Sequence, residues 1–194
     1  MPFPGSDPEK YILSPNEALG VLDSLEYDEQ SDIVMFIASA GNQVPGEDPH
    51  SVDGVPGLFI TSFFFQSYAL QAAGSGAGMV SAEPLTVIRQ CDAATATLAS
   101  LHYKQAEDLV VAIDVFRAGG VDVKADPFFS LQMEGGRITS QYLFMGGRPI
   151  RRPHEILTID FTGFTIETAP QVTSGQRGGV RTARLSKAGK RGGK

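Results

Sequence analysis

The sequence predicts a mainly β protein: an antiparallel β-barrel or sandwich of two sheets with one packed α-helix, preceded by an N-terminal helical extension. Two observations lead there. Short apolar runs separated by Gly- and Pro-rich clusters recur from residue 32 to residue 169, the pattern of strands and turns. Only one strong helix signal interrupts them, just after Asp92. With 194 residues and 20.7 kDa the chain fits one domain plus extensions. The expected division is 1–31 as an acidic extension, 32–170 as the β domain, and 171–194 as a basic disordered tail.

In the extension, Ser14-Pro15-Asn16-Glu17 is a capping box with Pro at the first helical position. Ala18, Leu19, Val21, Leu22 and Leu25 follow as an apolar stripe at helical spacing. Such a helix packs on the domain edge or docks a partner. The domain opens with Ile33-Val34-Met35-Phe36-Ile37, a continuous apolar run that suits a buried strand. Residues 40–57, rich in Gly, Pro and Asp, read as one long loop. Residues 58–70 (LFITSFFFQSYAL) read as one long strand, apolar on both faces, as expected inside a sandwich or in an oligomer.

Gly74–Gly78 is a glycine-rich connector, and residues 85–88 are a further strand. Asp92 is placed to cap a helix over 93–105. Strands are expected at 108–117, 127–134 and 137–145, with Gly119-Gly120 and Gly135-Gly136 marking turns and the latter a tight hairpin. After the polar turn GGRPIRRP, residues 155–168 read as the last strand. From Gln171 onward apolar content collapses, too little to order the segment.

The net charge of −6 conceals a split. Residues 1–174 carry 22 acids and 9 bases, a net of −13; residues 175–194 carry seven bases and no acid. The seven are Arg177, Arg181, Arg184, Lys187, Lys190, Arg191 and Lys194. The tail suits either electrostatic capture of a polyanion or acidic surface, or a solubilising role. No aromatic residue interleaves its charges, and the body is acidic, so nucleic acid is disfavoured as a partner.

No run of about 18 apolar residues exists, so no membrane-spanning helix is expected. Met1 to Asp7 has neither the basic nor the apolar region of an export signal. The single Cys91 excludes an intrachain disulfide and a cysteine-based zinc site. His50, His102 and His154 are isolated, and Asp48-x-His50-x-x-Asp53 reads as turn chemistry rather than as a metal site. Gly74–Gly78 is neither a dinucleotide nor a phosphate loop, and no G-x-S-x-G elbow is present. No catalytic residue, metal or cofactor is expected, and the protein is read as a non-enzyme.

The order of several segments over roughly 32–169 resembles the haemolysin-coregulated protein (Hcp) family, the inner-tube subunit of type VI secretion systems. Asp32–Ile37 resembles the family's opening strand. Gly46, Glu47 and Asp48 with His50 resemble the Gly-Glu-Ser…His segment of its first long loop. Ser62-Phe63-Phe64-Phe65 falls where Ser-Trp-Ser-Trp is common. The glycine connector, the Asp-led helix at Asp92, Val115–Gly120, and the Glu-led strand from Glu155 complete the match. Met79 replaces a usual Lys, and Ala94-Thr95-Ala96 replaces a usual Ser-Pro.

The resemblance implies a homohexameric ring that stacks head-to-tail into a tube. A contractile sheath would enclose it, a VgrG-like spike would tip it, and small effector proteins would occupy its lumen. It also implies a cytoplasmic protein that leaves through the apparatus when the sheath fires. Gly46, Glu47, Asp48, His50 and Asp53 are then expected in a loop that bridges subunits or rings, and Ser62 to Phe65 in an interface strand. The acidic front and basic tail are expected to meet across a ring–ring junction, with the tail dispensable for the ring itself. Two alternatives stand beside this reading. One is a tail-tube protein of a contractile phage or extracellular injection particle, and the other a soluble β-barrel that binds a polyanion through its tail.

Overall fold

The computed structural model describes residues 31–70, 79–117, 126–146, 152–169 and 178–186. The expected N-terminal helix, the Gly74–Gly78 connector and the Gly119-Gly120 turn lie outside these residues. The first half of the chain gives β1 (Ser31–Ser39), β2 (Asn42–Gln43), β3 (Asp48–Val52), β4 (Val55–Phe59), β5 (Ser62–Phe64), β6 (Ser67–Leu70), β7 (Met79–Ala82) and β8 (Leu85–Gln90). Helix α1 (Ala94–Tyr103) follows, then β9 (Leu109–Arg117), β10 (Phe129–Gly146), β11 (Arg152–Asp160), β12 (Gly163–Thr168) and β13 (Arg181–Ser186).

All strand pairings are antiparallel, and the architecture is a two-layer sandwich rather than a closed barrel. One layer runs β3-β4-β1-β9-β10-β12-β13, and the other β10-β11-β8-β5. β6 and β7 form a separate hairpin. The main core lies between the layers. Met35, Ile37, Leu109, Val111, Ile113, Leu131 and Met133 from one layer meet Leu85, Val87, Leu157 and Ile159 from the other. Helix α1 closes one side of this core with Ala94 and Leu98.

β10 belongs to both layers, and this corrects the expected hairpin at Gly135-Gly136. Residues 129–134 pair with β12 and residues 129–136 with β9, while residues 137–146 pair with β11. Gly135 takes a left-handed φ of +62°, and the β9 register shifts between Met133 and Gly136. The two glycines therefore form a bulge that bends a continuous strand from one sheet into the other. A Cβ on Gly135 would stand 2.2 Å from Thr162 Oγ1, so the bulge is packed as well as bent.

Four further expectations change. The long strand 58–70 is three pieces, because it crosses between layers: the Ile60 N–H donates to Ile33 O on one side and the Thr61 N–H to Ile88 O on the other. Residues 40–57 are not a loop but mostly the β3–β4 hairpin, turned by Asp53 and Gly54 at φ of +52° and +80°. The strand expected over 155–168 is β11 and β12, broken at Phe161-Thr162 where Thr162 donates to Glu134 O from both N–H and Oγ1. Finally, residues 181–186 of the supposedly disordered tail form β13, aligned residue by residue along β12.

The apolar run of β1 is explained by the same hairpin. Met35 and Ile37 face the main core, whereas Val34 and Phe36 join Phe116 in a second cluster on the outer face. The hairpin folds back over that face. A Cβ on Gly57 would lie 2.3 Å from Val34 Cγ1 and 2.8 Å from Phe36 Cε1, so only glycine admits this approach.

Candidate assembly surfaces

The β3–β4 hairpin is anchored at its base and free at its tip. Gly46 N–H donates to Pro56 O at 2.9 Å, and a Cβ on Gly46 would stand 2.0 Å from Gly57 O. Glu47 reaches the start of α1, where its Oε1 accepts from the Ala93 N–H at 3.3 Å. Asp48 is buried; its Oδ1 accepts from the His50 N–H at 2.8 Å and lies 2.7 Å from His50 Nδ1. The His50 ring stacks on Phe116 with centroids 4.2 Å apart. Asp53 sits in the turn, away from this group, and Val52 beside it is exposed. So Gly46, Glu47, Asp48 and His50 fasten the hairpin to the rest of the domain, and residues 51–54 at its tip are exposed.

Between the hairpin base and α1 lies a cleft of about 320 Å³ lined by Glu47, Asp48, Pro49, Phe59, Gln90, Cys91 and Asp92. Its carboxylates are engaged locally. Asp92 Oδ1 accepts from the Ala94 N–H at 2.8 Å, as an aspartate at a helix start does, although the residue directly before the helix is Ala93. Among the described residues no three His, Cys, Asp or Glu side chains gather as a metal site. Cys91 has its thiol pKa raised, first by burial and then by the negative charge of Glu155.

Beneath the cleft is a buried charge network; the sequence reading named Asp92 as a helix cap and Glu155 as the head of a strand but did not join them through Arg89. Arg89 and Glu155 are both fully buried, with Arg89 Nη1 donating to Glu155 Oε1 at 2.6 Å. Arg89 Nη2 is ion-paired with Asp92 Oδ2. Thr95 Oγ1 donates to Glu155 Oε1 at 2.9 Å, and Gln141 Nε2 to Glu155 Oε2 at 2.6 Å. Strands β8, β10 and β11 and the first turn of α1 are thereby tied at one point. The available signal was a charge at the end of an apolar strand, in LTVIRQ and in EILTID.

Ser62 to Phe65 form the crossing edge. Phe65 packs against Phe164 and Phe161 at centroid distances of 4.8 and 5.9 Å, and Phe63 against Phe129 at 6.1 Å. Phe64 faces the other way, onto the Ile88–Ile156 cluster that Tyr142 and Phe144 also cover. Both apolar faces of this strand are thus used within one chain. On β10, Leu143 and Met145 remain 58% and 62% exposed, and on β9 Val110 is 52% exposed. Of the basic tail, Arg181 and Arg184 lie on β13, where Arg184 Nη2 is 3.3 Å from Glu134. Arg177, Lys187, Lys190, Arg191 and Lys194 lie outside the described residues. No helix among the described residues is long and apolar enough to cross a membrane.

This sandwich, with one helix on its side and a hairpin folded over its outer face, has the fold of type VI secretion proteins. It superposes on the structure of a type six secretion system protein with a TM-score of 0.64 and 18% identity, over 79% of this chain and 95% of that one. Against Hcp1 from Salmonella typhimurium the values are 0.57 and 17%, over 81% and 95%. Against the secreted protein Hcp3 from Pseudomonas aeruginosa they are 0.56 and 12%, over 82% and 99%. No curated protein matches the sequence. Residues 64–167, more than half of the chain, match the family described as type VI secretion system effector, Hcp, and the chain belongs to that family.

Proposed function

We propose that the protein is a tube subunit: six copies close into a ring, and rings stack head-to-tail into the inner tube of a type VI secretion system. The observation that carries this is the family match over 64–167, which takes in β8, β9, β10 and β11 and nearly all of β12, strands drawn from both layers. The surface agrees with it. Leu143, Met145 and Val110 stand on strands, exposed, where a subunit interface would cover them. In this reading a sheath surrounds the tube and a VgrG-like spike tips it. Small effectors travel in the lumen, and the protein passes from cytoplasm to exterior by sheath contraction. Its work is structural, with no reaction of its own. The family match favours this over a phage or extracellular particle.

The test is mass and shape in solution. Size-exclusion chromatography with light scattering should give about 124 kDa, six times 20.7 kDa, and negative-stain images should show rings or stacks. A monomer at high protein concentration, with no rings in the images, would overturn the proposal.

A further inference from the structure

The pairings of β1, β9, β10, β12 and β13 place Ile33, Val115, Phe129, Thr168 and Arg181 in one row across five strands. The acidic segment and the start of β13 therefore lie at one end of the sheet, while the lysines that follow β13 leave from its other end, at Ser186 beside Gly163. Residues 1–30, with seven carboxylates against Lys10, enter it at Ser31. β13 begins at Arg181, four strand spacings away, or roughly 19 Å at about 4.8 Å per spacing. A chain of 30 residues reaches roughly 100 Å when extended, far more than the gap requires.

β13 also differs from its neighbours. All six of its residues are exposed, and among the described residues it pairs with β12 alone, leaving its other edge open. It carries Arg181 and Arg184, and the chain continues with Lys187, Lys190, Arg191 and Lys194 and no acid. The domain beside it engages Arg184 through Glu134 and Thr182 through Glu167. An open edge presents unpaired N–H and C=O groups to another chain; the cations on β13 turn away a basic strand and favour an acidic one.

We propose that the acidic segment 1–30 lies against β13 of its own chain and covers this edge. A tethered segment acts at an effective concentration in the millimolar range, which a second copy in dilute solution does not match. The attraction is between surface charges, so it fades when salt shortens the Debye length from about 8 Å to about 4 Å. This contact lies within one subunit, where the charge pattern alone had suggested a junction between rings. It does not depend on ring formation.

The experiment uses the full chain, dilute, as an equal mixture of unlabelled and nitrogen-15-labelled protein unfolded and refolded together so that any ring holds both kinds of subunit, treated with a carbodiimide that joins carboxylates to lysines in contact. The expected links run from carboxylates within residues 7–29 to Lys187, Lys190 or Lys194, never join a labelled to an unlabelled peptide, and disappear at about 0.5 M salt. In parallel, changing the seven carboxylates to their amides should speed hydrogen exchange of the Arg181–Ser186 amides roughly tenfold while the exchange of β10 stays unchanged. Mixed-isotope links would assign the contact to a second copy and overturn the proposal. So would absent links, or unaltered exchange in the amide variant.

Discussion

At the scale of single residues, the Arg89–Glu155 pair is the most exacting feature of the domain. Two buried charges are tolerated because Thr95 and Gln141 donate to Glu155 and Asp92 adds a second carboxylate beside Arg89, although Arg89 Nε is buried with no hydrogen-bond partner among the described residues. Removing Glu155 leaves the fully buried Arg89 with Asp92 as its remaining carboxylate partner, and removing Arg89 leaves a buried carboxylate with no cation beside it among the described residues. Glu155→Ala is therefore expected to cost about 3–5 kcal/mol in urea unfolding, and the double change Arg89→Met/Glu155→Met much less. A double variant as unstable as the single one would show that the pair contributes more than its own compensation. Cys91 reports on the same network. Burial and the Glu155 charge hold its thiol protonated to a higher pH than usual, so at pH 8 less thiolate is present than on an unfolded chain. Alkylation by iodoacetamide at pH 8 should be slower in the folded protein than in urea, with the deficit shrinking as pH rises; equal rates at pH 8 would contradict the assignment.

At the scale of elements, the glycines decide where the chain may approach itself. Gly46 stands so close to the carbonyl of Gly57 that the base of the β3–β4 hairpin must open to admit a methyl group. Gly46→Ala is expected to cost about 1–3 kcal/mol. It should also raise hydrogen exchange in Asp48–Phe59 before any change in β9 or β10. This scale is also where the sequence was legible in part. Apolar runs located β1, β8 and β9, because their buried residues are contiguous in the chain, and Asp92 located α1, because its carboxylate is the signal of a helix start. Gly135-Gly136 was misread because a hairpin and a bulge both need a left-handed residue, and the choice is made by β9 and β12 on either side. Residues 58–70 looked like one strand because crossing between layers keeps both faces apolar. β13 gave no signal at all: all six of its residues are exposed, and its order comes from pairing with β12. Of the candidate site, the composition of residues 46–53 was visible in the sequence. Its attachment to Phe116 and to the start of α1 was not, since those contacts join positions more than 40 residues apart.

At the scale of the whole molecule, the hairpin sets the limits of a fair test of assembly. Deleting all of 40–57 would uncover Val34, Phe36 and Phe116, so lost rings would reflect an exposed apolar face rather than a missing bridge. The tip is separable. Ser51 pairs with Pro56 and Val52 with Val55, and Asp53-Gly54 makes the turn. Removing Val52 and Val55 shortens each arm by one residue and leaves Ser51 and Pro56 as the last pair. Asp48, His50 and Gly57 then keep their places, and Pro56 O stays in place to accept from the Gly46 N–H. If the tip bridges one ring to the next, this shortened chain should still form rings of about 124 kDa but lose most of its stacks in negative-stain images. Its unfolding midpoint should stay close to that of the parent, because neither Val52 nor Val55 belongs to a buried cluster. Undiminished stacking would remove the tip from the ring–ring contact and leave exposed apolar positions such as Leu143, Met145 and Val110 to supply it.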